Sequence, residues 1–477
     1  MTRPAPLLAA ALALMLSACA VGPDFVRPQT RAAPTYAAPG DAPPPADQAV
    51  VLGQSQAGDW WTPFRAPALD RVITLALANN QDLAVARARL AEAQDDVRAA
   101  AAARLPEAAL GATAGRQKYG AALFGPLELS VPPFTYYSVG PTARAPLDIF
   151  GGAKRAEEAK AAYAEYRGYE LEAARLTLSA NVAAQALAVA AARSQTADLE
   201  TVLADDERNV ALIRTAIRVG SGTRTQLLSA ESQLASDRTL MPPLRQQEST
   251  ARHALAVLTG QAPADWTAPD FALADFTLPS EIAASLPSEL AHRRPDILAA
   301  EAQVHAASAA IGVATANLYP KIEITGAFTQ QALTPGGLAQ GGASAWAFAA
   351  NLTQPLFNGG RLNAERRAAA RRYDAAIASY RQTVLKAFGE VADRLQALAN
   401  DADQLRAQAQ AADTAASALD LARRSYAAGN SGILDVLDAE RRLAQAQLGR
   451  SQAKAQRLAD TVQLYLALGG AMPAAAR

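Results

Sequence analysis

Two long segments without proline constrain the fold of this chain more than any other feature. The segment from Arg361 to Ala428 contains no proline, and its larger apolar residues recur at alternating steps of three and four. This spacing is typical of a packed, coiled-coil-like helix. At about 1.5 Å per residue, an unbroken helix of this kind would be roughly 100 Å long. A compact domain with a single core cannot enclose such a rod.

The second proline-free segment, Ala153 to Val219, shows that the chain is a tandem duplication. A similar turn precedes each segment: Ala145-Pro-Leu-Asp-Ile-Phe-Gly-Gly152 in one case and Gln354-Pro-Leu-Phe-Asn-Gly-Gly360 in the other. A matching Gly-rich turn follows each of them, at 219–231 and 428–440. The offset of about 210 residues is far longer than the period of a solenoid repeat.

The duplication predicts a division of the chain into repeats with extended flanking segments. The predicted parts are a signal peptide (1–18), a lipidated extended tether (19–67), a first repeat (68–260), a linker (261–288), a second repeat (289–470) and a tail (471–477). Each repeat is expected to contain a helix, a β-hairpin, a long helix and a returning helix. The predicted bounds of the last three are about 107–145, 153–219 and 223–258 in the first repeat, and about 321–354, 361–428 and 433–468 in the second.

The N-terminus predicts export and lipidation. Arg3 precedes an apolar run that ends at Leu16, which is the pattern of a secretory signal. Leu16-Ser-Ala-Cys19 resembles a bacterial lipobox, so Cys19 is the expected lipid attachment site; an ordinary cleavage site beside an accidental cysteine is the alternative. Cys19 is the only cysteine, which excludes an intrachain disulfide and a cysteine-based metal site. Ala20 in place of aspartate after the cysteine favours the outer membrane.

The segments rich in proline predict extended structure. Between 21 and 57, proline, alanine and glutamine predominate, as expected for a strap laid on another surface that contributes no core element. Trp60, Trp61 and Phe64 are the expected anchor of its end. The linker 261–288 is expected to pack beside the helices.

The predicted strands alternate between apolar and polar residues. Ile322, Ile324, Gly326 and Phe328 alternate with Glu323, Thr325, Ala327 and Thr329. A soluble sandwich would show the same pattern. In a membrane, four strands cannot close a sheet, and every backbone group there must be paired. Closure must then come from several copies, and three copies would give twelve strands, which is enough for a lumen.

Charge and motifs exclude several classes of function. The 45 basic and 45 acidic residues are mixed along the helices, so no one-signed surface for nucleic acid is expected. His253, His292 and His305 stand apart, without metal-ligand spacing. There is no Gly-rich phosphate loop after a strand and no nucleophile elbow. We therefore expect no catalytic residues, no bound cofactor and no metal.

Four motifs carry a resemblance to a known family. They are Cys19-Ala-Val-Gly-Pro-Asp-Phe25, Arg293-Arg-Pro-Asp-Ile297 with Glu301, Ile311-Gly-Val-Ala with Leu318-Tyr-Pro320, and Gln354-Pro-Leu-Phe-Asn-Gly-Gly-Arg-Leu362. Together they resemble the TolC-type outer-membrane factors of the NodT/OprM-like lipoprotein branch, over essentially the whole mature chain.

The resemblance implies a mainly α fold with a transmembrane β-barrel, in which a homotrimer forms a twelve-stranded barrel continuous with a periplasmic α-helical tunnel. It implies a passive exit duct in the outer membrane, in contact with lipid. The expected partners are a periplasmic adaptor and an inner-membrane pump of the RND type. The alternatives are a duct for type I protein secretion, a lipid-anchored periplasmic helical adaptor, and a lipoprotein enzyme of the cell wall. An adaptor would show a single helical hairpin with several β-rich segments.

The resemblance also implies a gate at the turns between helices. Asp435 and Asp438 lie one helical turn apart and would narrow the periplasmic mouth, with Tyr426 helping to hold the tip closed. Stabilisation of a helix N-terminus is the alternative role of these carboxylates. Ser431 and Gln226 occupy positions where the family has a basic latch and its acidic partner, so the latch is expected to differ. The adaptor is expected to dock on the glycine turns formed by Gly220, Gly222, Gly429 and Gly432.

Overall fold

The structure is a computed structural model that describes residues 20–29, 34–54, 59–120 and 131–470. The predicted signal peptide (1–18), Cys19 and the predicted tail (471–477) lie outside the described residues.

Most of the described chain is helical. In chain order the strands are β1 (Ala49–Leu52), β2 (Glu107–Gln117), β3 (Phe134–Leu147), β4 (Glu281–Ala284), β5 (Lys321–Ala332) and β6 (Ser344–Thr353). The helices are α1 (Pro67–Asn79), α2 (Gln81–Ala102), α3 (Gly152–Arg218), α4 (Arg224–Arg238), α5 (Met241–Leu258), α6 (Pro287–Leu290), α7 (Pro295–Ala316), α8 (Arg361–Ala427) and α9 (Ile433–Ala467).

The two proline-free segments form the long helices α3 and α8, each of 67 residues. Gly389 does not interrupt α8, because a single glycine within a helix costs only about 1 kcal/mol relative to alanine. Both helices end at glycine turns that lead into the returning helices α4 and α9.

The chain divides into two compact units. One comprises the described residues within 20–28, 89–167 and 300–380 and contains β2, β3, β5 and β6. The other comprises the described residues within 29–88, 168–299 and 381–470 and contains β1, β4, α1, α4, α5, α6 and α9. The helices α2, α3, α7 and α8 contribute residues to both units.

The first unit is built on a four-stranded antiparallel sheet of order β2-β3-β5-β6. The hairpins β2–β3 and β5–β6 come from the two repeats and pair through β3 and β5, with Ala145 opposite Ile324. Within the second hairpin Phe328 lies opposite Trp346. β2 and β6 are the edge strands, and each leaves one side without a strand partner in the described chain.

An aromatic cluster anchors the N-terminal segment within the second unit. Trp60, Trp61, Phe64 and Tyr465 are all buried. The ring centroid of Trp60 lies 5.8 Å from that of Trp61, 6.3 Å from that of Phe64 and 5.7 Å from that of Tyr465. Trp60 Nε1 also donates a hydrogen bond to Ser179 Oγ at 2.9 Å. The cluster therefore joins this segment to α3 and α9.

Two segments rich in proline carry a pair of strands. β1 belongs to the predicted tether (19–67) and β4 to the predicted linker (261–288). They pair in parallel, with Ala49 opposite Glu281 and Leu52 opposite Ala284. Ile282 is fully buried. The expectation that segment 21–57 contributes no core element is wrong, since Tyr36 and Gln48 are buried. Sequence analysis missed β1 because the partner of a four-residue strand lies far along the chain and leaves no local pattern.

Two predicted helices are each divided. The helix predicted at 223–258 breaks between α4 and α5, where Pro242 stands in the first turn of α5. Proline lacks an N–H and clashes with the preceding turn, so it can begin a helix but not continue one. The first helix predicted in the first repeat, which ends before Leu105, breaks at Asn80. The backbone of Asn80 is extended, and its Oδ1 accepts a hydrogen bond from the Leu83 N–H at 3.0 Å.

Among the described helices, α7 alone is long and apolar enough by composition to cross a membrane, and half of that apolar window is buried inside the chain. Core helices meet the same criterion. Ile297, Ala302, Val304 and Ala309 are buried, so we assign α7 to the packed core.

Substitutions at Trp60 should separate its hydrogen bond from its packing. Trp60→Phe removes the bond to Ser179 and should lower the free energy of unfolding by about 0.5–1.5 kcal/mol. Trp60→Ala leaves a cavity and should cost about 3–5 kcal/mol. The midpoint of thermal unfolding, followed by circular dichroism, should fall in that order, while Val26→Ala at an exposed position should leave it unchanged. A wild-type midpoint for Trp60→Ala would contradict the cluster's role.

Candidate functional site

The four-stranded sheet has one apolar and one polar face. Directly paired residues of antiparallel strands share a face. The register therefore places on one face Leu110, Val139, Ile322, Ile324, Phe328, Trp346, Phe348 and Leu352. The other face carries Thr113, Arg144, Glu323, Thr325 and Asn351. Trp346 is 78% exposed and Phe348 71% exposed in the single chain, as expected for strands that face lipid outside and a polar lumen inside.

This sheet is incomplete in a single chain. Both edge strands have a side with no strand partner in the described chain, and a bilayer offers no water to satisfy those groups. Further copies of the chain must close the sheet. Three four-stranded sheets together supply twelve strands, enough to surround a lumen, whereas an eight-stranded barrel would be filled by its own side chains.

The turn after α8 begins at Tyr426 and contains two of the predicted glycines. The Gly429 N–H donates to Tyr426 O and the Asn430 N–H donates to Ser425 O, both at 2.9 Å. This pair of bonds is a Schellman motif, which requires a left-handed residue just after the helix. Gly429 has a φ of 76° and supplies that conformation without the steric penalty of a Cβ atom.

The turn after α3 repeats this geometry. The Gly220 N–H donates to Ile217 O at 3.1 Å and the Ser221 N–H donates to Ala216 O at 2.9 Å. Gly220 has a φ of 79°. A Cβ atom on Gly222 would lie 2.9 Å from the backbone nitrogen of Ile217, so this glycine is needed for close approach of the backbone.

The carboxylate of Asp435 stabilises the start of α9. Asp435 Oδ2 accepts a hydrogen bond from the Gly432 N–H at 3.0 Å. In the first repeat the same task falls to Gln226, whose Oε1 accepts from the Thr223 N–H at 2.8 Å while Thr223 Oγ1 accepts from the Gln226 N–H at 3.3 Å. The helix-stabilising role of Asp435 is therefore present, and Gln226 occupies a capping box.

Asp438 lies one turn further along α9 and forms ion pairs within its own chain. Arg441 Nη2 lies 2.5 Å from its Oδ1 and Arg442 Nη2 lies 2.7 Å from its Oδ2. The hydrogen bond from Arg441 and the charges of both arginines hold the pKa of the Asp438 carboxyl below its ordinary value. The side chain of Asp438 is 41% exposed, so it remains available to solvent.

The two turns meet in one apolar cluster. Buried residues from α3, α4, α8 and α9 pack together there: Val210, Ile213, Ala230, Leu234, Leu419, Ile433, Val436 and Ala439. Ile217 and Leu227, which flank the first turn, pack against the same cluster. The structure thus brings the two predicted glycine turns to one end of a shared core. Tyr426 is 41% exposed there, and Ser431 Oγ is buried without a hydrogen-bond partner in the described chain.

Two buried aspartates were not anticipated from the sequence. Asp206 on α3 faces Asp237 on α4, and Asp401 on α8 faces Asp460 on α9. Burial, together with the neighbouring carboxylate, raises the pKa of Asp206 and that of Asp401 to about 7. The sequence does contain a signal for the burial of Asp206. Steps of three and four residues lead from Leu203 to Asp206 and on to Val210, which places Asp206 on the inward side of α3.

The histidines are placed apart from both turns. His305 stacks on Phe25, with ring centroids 4.4 Å apart, and its Nε2 lies 3.1 Å from Glu158 Oε1. Among the described residues, no group of three or more histidine, cysteine, aspartate or glutamate side chains is arranged to hold a metal ion.

Comparison with known proteins agrees with this geometry. Residues 72–261 and 286–470 match the outer membrane efflux protein family. The chain is 32% identical over 479 residues to the pyoverdine export outer membrane protein OpmQ of Pseudomonas putida, covering 98% of both proteins. It is 29% identical over 476 residues to nodulation protein T of Rhizobium leguminosarum bv. viciae, covering 98% of this chain and 94% of that protein. The outer-membrane channel OprN superposes with a TM-score of 0.85 at 29% identity, covering 95% of this chain and 99% of that chain.

The fold and these likenesses define an outer-membrane channel of an efflux system. Its fold is mainly α, with a transmembrane β-barrel shared by a trimer. The chain belongs to the outer membrane efflux protein family, and the resemblance to TolC-type factors of the NodT/OprM-like branch is confirmed. Proteins of this family work with a periplasmic adaptor and an inner-membrane pump, and these relatives are channels and not enzymes.

Alanine substitutions in the second turn should have unequal effects. Gly429 has a positive φ, so Gly429→Ala should strain the turn by about 1 kcal/mol or more. Gly432 has a φ of −84°, and the nearest atom to an added Cβ lies 3.9 Å away, so Gly432→Ala is the matched control. Limited proteolysis of the purified protein should cut the turn faster in Gly429→Ala only. Equal cleavage of the two variants would contradict the need for a left-handed residue.

Proposed function

We propose that three copies of this chain form a lipid-anchored exit duct whose resting constriction is built from Asp435, Asp438 and Tyr426. The observation that carries the proposal is the divergence of the two repeats at equivalent turns. The second repeat presents two carboxylates on α9, whereas the first presents Gln226 and Ser229 at the same positions. A trimer would gather six carboxylates around one axis.

Six carboxylates gathered in a trimer would support a selective constriction. Like charges at close range raise one another's pKa and attract cations, and rings of aspartate select cations in pores. Asp435 is oriented by the Gly432 N–H, and Asp438 by Arg441 and Arg442. Both carboxylates are therefore held in defined positions before any partner binds.

The glycine turns are the proposed adaptor-docking surface. Gly220, Gly222, Gly429 and Gly432 provide backbone that a partner can approach closely. Exposed apolar side chains surround them, since Val219 is 74% exposed, and Leu228 and Leu434 are also exposed. We infer an adaptor whose helical tip covers these side chains, and an inner-membrane pump of the RND type behind it. OpmQ is a pyoverdine export protein, which favours a small solute as the cargo of this chain.

Lipidation at Cys19 is proposed from the sequence and supported by the course of the chain that follows. The Val21 N–H donates to Phe150 O at 3.1 Å, and Ala20 lies against Gly151. These contacts lie at the junction between β3 and α3, where a membrane strand meets the helical part of the chain. Acyl chains on the neighbouring cysteine would enter the bilayer near the ends of the strands.

Removing the charges of the proposed constriction should open it. In planar bilayers, the Asp435→Asn/Asp438→Asn double variant should conduct more at rest and discriminate less between cations and anions, because the negative ring is gone. Asparagine can still accept the bond from Gly432, so this variant separates charge from helix capping. The Asp435→Ala/Asp438→Ala double variant should behave alike, and Ser229→Ala, at the equivalent first-repeat position, should conduct as wild type. Unchanged current and cation preference in both double variants would contradict the assignment of Asp435 and Asp438 to the constriction.

Replacing the single cysteine should abolish the anchor. Wild-type protein from cells labelled with palmitate should carry the label, and intact mass should exceed that of the cleaved polypeptide by a diacylglyceryl group and a fatty acid. Cys19→Ser should carry neither, because a hydroxyl does not replace the thiol in this modification. An unlabelled wild-type protein of plain polypeptide mass would contradict lipidation while leaving the channel assignment intact.

A further inference from the structure

The Asp206–Asp237 pair brings together a buried and a half-buried carboxyl group from two helices. Asp206 lies on α3 and Asp237 on the returning helix α4, and their carboxyl groups lie within hydrogen-bonding reach of one another. Asp206 is 6% exposed, and its Oδ2 has no hydrogen-bond partner in the described chain. Two ionised carboxylates cannot share a hydrogen bond, because each offers only acceptors. A hydrogen bond within the pair therefore requires one proton between them.

The pair lies between two apolar clusters. On one side are Val210, Ile213 and Leu234, from the core shared by both turns. On the other side Leu199, Met241 and Leu244 form a second buried cluster. Apolar packing on both sides limits the access of water to Asp206, so a second negative charge beside it would be poorly solvated.

Among the described residues, the cations near the pair are engaged by other carboxylates. The charged groups that act on Asp206 are Asp237 on α4, Glu440 on α9 and Asp205 on α3, and all three are acidic. The nearby Arg423 of α8 is engaged by Glu440 at 2.7 Å and by Asp205 at 3.3 Å. Arg208 pairs with Asp205, Asn209 donates to Glu440, and Gln233 Nε2 donates to Asp237 at 2.8 Å.

The helices α8 and α9 of the second repeat carry a similar pair of aspartates, but the charges around that pair differ. Asp401 faces Asp460, but Arg394 Nη1 lies 3.0 Å from Asp460 Oδ1. Arg457, which holds Asp47 at 2.7 Å and 2.8 Å, also lowers the pKa of Asp401 against the effect of burial. The Asp206–Asp237 pair is thus the one whose ionisation is opposed by its surroundings and is not compensated by an arginine of its own.

We propose that the Asp206–Asp237 pair is a proton-operated lock on the helical tip. With the shared proton bound, α4 packs against α3 and the apolar core of the two turns stays intact. Loss of the proton places two carboxylates in contact beside Glu440, and α4 separates from α3. The turn at Gly220 then moves away from the turn at Gly429. This regulation rests on the proposed gate, because a loosened tip alters conductance only if the tip is the constriction.

The sign of the pH dependence follows from the direction of the pKa change. Burial raises the pKa of Asp206 in the folded tip to about 7, so the folded tip binds more protons than the loosened tip between acidic and neutral pH. The stability of the packed tip is therefore greatest at acidic pH and is lost as the pH rises through about 7.

Hydrogen exchange of the intact trimer tests the lock without reference to the gate. After correction for intrinsic exchange, opening of amides over 205–240 in the wild type should rise roughly tenfold between about pH 6 and about pH 8, since the protonated fraction falls by that factor. Asp206→Asn mimics the protonated group and should give the same low exchange at both values. Asp237→Asn is the second variant, for the case in which the first does not assemble. Glu207→Gln, at an exposed neighbour paired with Arg238, should respond as wild type.

Conductance measured at the same pH values then tests the coupling. Wild-type resting current should rise with pH, and Asp206→Asn should abolish the rise. A pH-independent exchange in the wild type, or an unchanged pH response in both Asn variants, would overturn the lock. If exchange follows the proposal while Asp435→Asn/Asp438→Asn leaves conductance unaltered, the gate is wrong and the lock on the tip stands.

Discussion

Unpaired backbone at the two edges of the four-stranded sheet is the constraint on which the rest of this protein depends. β2 and β6 each leave a row of N–H and C=O groups without a strand partner in the described chain. The face that carries Trp346 and Phe348 is apolar and exposed. In lipid the apolar face is stable, but the unpaired edges of a single copy are not, because an unsatisfied backbone group costs several kcal/mol there. Trimer formation is therefore a requirement of the sheet.

The duplication gives this trimer two kinds of helical tip from one ancestral pattern. Both long helices end in a Schellman turn at a glycine, Gly220 in one copy and Gly429 in the other. The helix that follows is capped by Gln226 in the first repeat and by Asp435 in the second. The same backbone task is thus performed by a neutral and by a charged side chain. Capping preserves the turn, while the change of charge allows the second tip to act electrostatically.

Local features of the sequence predicted most of the fold, and the exceptions have physical causes. Period-two alternation located the strands, as with Ile322 and Ile324, and proline-free spacing located the long helices. Pro242 stands in the first turn of α5 and divides it from α4, although one helix is predicted at 223–258. β1 and β4 escaped prediction because a parallel pair of four-residue strands is stabilised by contacts distant in sequence.

The sequence by itself determined the repeat, the strand faces, the long helices and the glycine turns, because each depends on residues close to one another along the chain. Only the tertiary structure decided that Asp435 caps α9 and that Asp438 is paired with Arg441 and Arg442. It alone decided that Asp206 faces Asp237. Burial and charge depend on which side chains come together in space, and a linear pattern does not specify a partner on another helix.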